Sequence, residues 1–123
     1  MKVIAVAQWV VRLCGLVALL FGILLWIENH KLMPLHMLLG FILVIGLWTL
    51  SVMALITRLY GLGIAGIVWG LVVVGLGNAQ MSIMPGASHW VIRVVHLIVG
   101  LAAIGLAETI AKRARVARSA AVP

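Results

Sequence analysis

Two histidines stand inside hydrophobic stretches, and each is followed four residues later by a glycine: Pro34-Leu35-His36-Met37-Leu38-Leu39-Gly40 and Val94-Val95-His96-Leu97-Ile98-Val99-Gly100. Neutral imidazole offers one nitrogen lone pair to a metal and keeps a second nitrogen for a hydrogen bond or a proton. A titratable ring in so apolar a setting is expensive to bury, which marks it as a functional position. On a helix, residues i and i+4 share a face, so each glycine clears the surface one turn from its histidine. Something flat and bulky fits beside such a face.

The elements that carry these histidines follow from composition. Of 123 residues, 66% are apolar and only 9% charged, and the mean hydropathy is +1.32. This is far outside the range of a soluble globular domain. Apolar runs over about 10–27, 32–56, 59–83 and 90–107 are each long enough to cross roughly 30 Å of hydrocarbon as a helix. The expected fold is all-α, an integral membrane four-helix bundle of up-down-up-down topology. Residues 1–111 form the membrane domain, and 112–123 form a basic tail. A transmembrane barrel is excluded by the continuous rather than alternating hydrophobicity. No stretch remains for a soluble catalytic domain, so chemistry must lie between helices or at their ends.

Local signals set the boundaries. Glu28-Asn29-His30-Lys31 reads as a polar turn, and Pro34 suits the first turn of the second helix. Thr57 and Arg58 before Tyr60-Gly61 predict a tight connection. Pro85-Gly86-Ala87-Ser88 breaks the chain again, with Ser88 as the expected N-cap of the fourth helix. Ala5-Val6-Ala7 precedes the first apolar run rather than following it, which predicts an uncleaved first helix. Cys14, the single cysteine, has no internal disulfide partner.

Lysine and arginine distribution predicts orientation. Lys2, Arg58, Lys112, Arg113, Arg115 and Arg118 fall on one side of alternating helices, against Lys31 and Arg93 on the other. Both termini are expected in the cytoplasm, and the protein in a bacterial inner membrane. The formal charge of +7 is explained by this asymmetry and by a tail that can touch anionic lipid, so nucleic acid is not an expected partner.

In this topology His36 and His96 lie on parallel, non-sequential helices, each within about 12 Å of its outer end at 1.5 Å per residue. Two imidazoles facing one another can supply both axial ligands of one haem. Gly40 and Gly100 would let the macrocycle approach the backbone. Arg93, one turn outward of His96, is the best partner for a haem propionate, with Lys31 and His89 weaker candidates.

On His36, Gly40, Arg93, His96 and Gly100, across all four spans, the chain resembles the small bis-histidine b-type membrane cytochromes. The resemblance implies one haem b with His36 and His96 on the iron, and electron exchange with a quinone or a partner subunit. Members that hold two haems use a second histidine pair near the other face; this chain has none there, which implies one haem. Iron with two histidine ligands has no open position, favouring electron transfer over oxygen chemistry.

Other readings of the same residues stand beside this one. The histidines can be a polar packing pair in a haem-free accessory subunit of a larger membrane complex or a homo-oligomer, or they can bind another metal or a quinone. Arg12 and Glu108 approach the same membrane face and can pair, although Arg12 can also snorkel alone. Gly63, Gly66, Gly70 and Gly77 form a smooth packing stripe on the third helix. Trp9, Trp26 and Trp90 suit the interfaces, Trp48 and Trp69 the core or the haem, and Asn78 and Gln80 a quinone headgroup.

Overall fold

In the computed structural model, which describes residues 2–27 and 30–123, four helices form an antiparallel bundle. They are α1 (Lys2–Trp26), α2 (Met33–Ile56), α3 (Tyr60–Ala79) and α4 (His89–Ala121), and a single 3-10 turn, His30–Leu32, leads into α2. All four are long and apolar enough to cross a membrane. Two residues of the expected polar turn, Glu28 and Asn29, lie outside the described residues.

The outer pair of helices reaches beyond the expected spans. α1 starts at Lys2 rather than near residue 10, because no glycine or proline interrupts residues 2–9 and because Ile4, Ala7 and Gln8 are buried. α4 passes the expected 111/112 boundary unbroken. Its 33 residues rise about 50 Å, well beyond a 30 Å hydrocarbon core. Ala111 and Ala114 are fully buried, so part of the expected tail belongs to the bundle. α3 is shorter than its apolar run and stops at Ala79. Ser82 caps it by donating to the Ala79 carbonyl at 2.9 Å, and the chain then turns with Met84 and Gly86 at φ 50° and 89°. Pro85 disfavours helical geometry at Met84.

The α2–α3 turn closes by paired backbone bonds, Leu59 N–H to Ala54 and Arg58 N–H to Leu55, at 2.8 and 3.0 Å. This is the Schellman arrangement, and it holds Arg58 at φ 64°, a conformation usually given to glycine. Ser88 stands at the N-cap of α4 as expected, but its hydroxyl makes no capping bond.

Around the bundle each helix packs on its sequence neighbours, α1 also packs on α4, and α2 meets α4 across the middle, whereas no Cα of α1 lies within 8 Å of one of α3 among the described residues. The helices that carry the two histidines are therefore the diagonal pair in contact. The dense core lies toward the end that carries both termini. There Ile4 and Val11 of α1 and Leu47, Leu50 and Ala54 of α2 meet an alanine ridge on α4, Ala103, Ala107, Ala111 and Ala114. Small residues at this spacing let backbones approach, which is how membrane helices gain van der Waals contact.

Indole N–H groups tie α3 into place. Trp48 donates to the Ile67 carbonyl at 3.1 Å, and Trp69 donates to Val99 at 3.0 Å. Gly63, Gly66 and Gly70 are buried against α2. A Cβ at Gly66 would strike Ser51, and one at Gly70 would strike the Trp48 indole.

Candidate functional site

His36 and His96 face one another across the α2–α4 diagonal, at the end opposite the dense core. Their ring centroids are 6.1 Å apart with planes at 66°. Both line a cavity of about 220 Å³ that draws residues from all four helices. Gly40 and Gly100 are on its wall, and a Cβ built on either would meet nothing within 4 Å. The expected clearing beside each histidine is present.

Each ring is backed by a glycine from the preceding helix. A Cβ on Gly22 of α1 would lie 3.3 Å from His36 Cε1, and one on Gly77 of α3 would lie 3.5 Å from His96 Cε1. Gly77 thus leaves the packing stripe assigned to it from sequence and belongs to the site. Gly22 escaped the sequence reading. Its signal was a small-residue series on α1, Gly15, Ala18 and Gly22, with the i, i+3, i+7 spacing of one helix face.

The His36 ring is oriented by Nδ1, which lies 2.8 Å from the Ala18 carbonyl oxygen. A carbonyl only accepts, so Nδ1 carries the proton and, in the neutral ring, Nε2 carries the free lone pair. This is the tautomer control seen in metal-ligating histidines, whose other nitrogen donates to a carbonyl or carboxylate. His96 Nδ1 is buried with no hydrogen-bond partner among the described residues, and so is His89 Nδ1. Buried polar atoms are nearly always bonded, so two orphans at one cavity mark a place where protein groups alone leave bonding incomplete.

All four histidines line this cavity, together with Arg93, Asn78 and Gln80. Arg93 is where a propionate partner was expected, on the same cavity as His96. Lys31 does not line it. Asn78 lines it, but its amide donates to Val74 of its own helix at 2.9 Å. Trp48 and Trp69 do not line it; their indoles serve the helix seams.

Whether these residues suit a haem can be tested on the ring separation. With metal–nitrogen bonds of about 2.0 Å and ring centres about 1.2 Å behind the nitrogens, two imidazoles on opposite sides of one metal place their centres about 6.4 Å apart. The observed 6.1 Å is close to this. An edge-to-face aromatic pair falls in the same range, so the surroundings must discriminate. A packing pair needs neither a cavity nor two glycines with open space above them. Among the described residues no cluster of three or more His, Cys, Asp or Glu could hold a metal. Side chains among the described residues therefore supply two imidazoles here and no third ligand.

At the other end Arg12 and Glu108 do pair. The guanidinium reaches both carboxylate oxygens, Nε to Oε1 at 2.6 Å and an Nη to Oε2 at 2.9 Å. Gln8 also donates to Oε2 at 2.5 Å, and Arg115 donates to the Gln8 side-chain carbonyl. Gln8 and Arg115 were not read from sequence as part of this cluster. The Arg12 guanidinium also lies over the Trp9 ring, 5.0 Å from its centre, in cation–π range. The network fastens α1 to α4 at the packed end.

No family model, curated protein or solved structure matches this chain.

Proposed function

We propose that the protein is a b-type membrane cytochrome that binds one haem between α2 and α4 and passes single electrons to or from a quinone or a partner subunit. The observation that carries this reading is the pair of imidazoles set 6.1 Å apart at a cavity whose wall is opened by Gly40 and Gly100. His36 and His96 would hold the haem iron, His36 through the Nε2 that its bond to Ala18 leaves free. Gly22 and Gly77 seat the two rings. Apolar side chains such as Leu43, Val74 and Ile104 on the cavity wall exclude water, while Arg93 on the same lining offers positive charge, and His89 a ring nitrogen, for hydrogen bonds to carboxylates. When bound, haem supplies a one-electron iron couple whose potential the protein tunes by ligand, charge and burial.

The placement in the membrane belongs to the same proposal. Antiparallel packing brings Lys2, Arg58, Lys112, Arg113, Arg115 and Arg118 to one end of the bundle, which supports cytoplasmic termini in a bacterial inner membrane. The haem would then lie near the outer face.

Protein purified from haem-sufficient cells should show a low-spin b-type absorption spectrum. His36→Ala and His96→Ala should each remove most of it while helical circular dichroism is retained. A colourless, folded wild-type preparation that takes up no added hemin would sink the cytochrome and leave the haem-free accessory subunit.

A further inference from the structure

A second concavity lies on the outside of the α1–α2 seam, at the end that carries both termini. It is an open groove of about 370 Å³ lined by Val3, Val6 and Val10 from α1, Ile42, Ile45 and Thr49 from α2, and Lys2. Ala7 and Gly46 form its floor, where the helices come so close that a Cβ on Gly46 would lie 2.8 Å from Val11 Cγ2. The walls present carbon: Val3, Val6 and Ile45 are 51%, 63% and 60% exposed, and the Thr49 hydroxyl is committed to the Ile45 carbonyl at 2.8 Å.

Lys2 is the one charged group on this lining, and no hydrogen bond or ion pair engages its ammonium among the described residues. Arg58, Lys112, Arg113, Arg115 and Arg118 share this end of the bundle. Glu108, the one acidic side chain among the described residues, is already held by Arg12 and Gln8. The occupant that matches this order of polarity has an apolar tail and an anionic head. From Lys2 to Val10 the groove follows about 12 Å of helix, the upper part of an acyl chain.

We propose that the α1–α2 groove seats one acyl chain of an anionic phospholipid whose headgroup phosphate meets Lys2. The surrounding cations raise the local concentration of anionic lipid near a charged leaflet, and the groove retains one molecule. The inference rests on membrane insertion and is independent of haem.

The test uses the full chain in phosphatidylcholine vesicles carrying trace spin-labelled phosphatidylglycerol or spin-labelled phosphatidylcholine, read by electron paramagnetic resonance. The expected result is a motionally restricted fraction at least twofold larger for the anionic label. Lys2→Gln should abolish that preference. Ile45→Trp, at an exposed position that tolerates bulk, should shrink the restricted fraction for both labels by filling the groove. Equal fractions for the two labels in wild type, or a preference that survives Lys2→Gln and disappears in the double variant Lys112→Gln/Arg113→Gln, would overturn the groove site. Protein that does not float with vesicles in a density gradient would overturn the membrane reading itself.

Discussion

The two ends of the bundle differ in what their glycines leave room for. Toward the termini, glycine removes bulk so that another group can take its place: Leu55 presses on Gly63, Ser51 on Gly66, Trp48 on Gly70 and Val11 on Gly46. Toward the histidines, Gly22 and Gly77 face the imidazole rings, whereas beside Gly40 and Gly100 no described residue would come within 4 Å of an added Cβ, although both belong to a cavity wall. The charged groups divide similarly. At the packed end Arg12 and Glu108 meet in a two-pronged ion pair extended by Gln8 and Arg115. At the hollow end two imidazole nitrogens have no partner among the described residues. Close packing and satisfied hydrogen bonds are the default of a protein interior, and the end that departs from both is the one at which we propose a ligand.

Leucine at glycine positions should separate the ends most sharply. Gly66→Leu should yield no folded, monodisperse protein, whereas Gly100→Leu should fold with normal helical circular dichroism and bind almost no haem. If Gly100→Leu also failed to fold, Gly100 would be a packing residue and the contrast would break. The milder pair is alanine. Gly66→Ala should lose about 1–3 kcal/mol from overpacking against Ser51, while Gly40→Ala should match wild type or gain up to about 1 kcal/mol from helix propensity. Chemical unfolding in mixed micelles would measure both.

Charge on the cavity lining should have a smaller, redox-specific effect. Arg93→Ala should leave the absorption spectrum unchanged and lower the haem midpoint potential by tens of millivolts, because removing positive charge favours the oxidised iron. An unchanged redox titration would remove Arg93 from the site. Glu108→Gln should do the reverse, weakening the α1–α4 tie and lowering the unfolding midpoint without moving the potential. Least of all, Arg58→Gly should stabilise the bundle by about 1 kcal/mol, because glycine tolerates the left-handed conformation at that turn; a lower unfolding midpoint would argue that the Arg58 side chain has contacts that outweigh its backbone strain.

Much of this contrast was legible in the chain. The number of helices follows from four long apolar runs, since backbone polar groups in hydrocarbon must be satisfied within each segment. His36, Gly40, His96 and Gly100 stood out for the same reason: their types are conspicuous against leucine, isoleucine and valine. The Arg12–Glu108 pair was readable from topology, because charges at the same depth on adjoining helices have few other partners. Helix ends were less legible. Apolar runs underestimate α1 and α4, where Gln8 and the basic residues beyond Thr109 continue as helix, and overestimate α3, where Ser82 and Pro85 end it inside an apolar stretch.

What the sequence determined alone was a set of one-dimensional facts: four spans, their antiparallel order, and two histidine faces cleared by glycine. Each depends on local spacing and on the cost of polar groups in an apolar medium. Tertiary structure decided which glycines are filled and which are open, that Ala18 orients His36, and that Gly22 and Gly77 seat the rings. Those depend on which helix faces meet and how closely. Closeness is set by the summed packing of side chains far apart in the chain, a quantity that no local window contains.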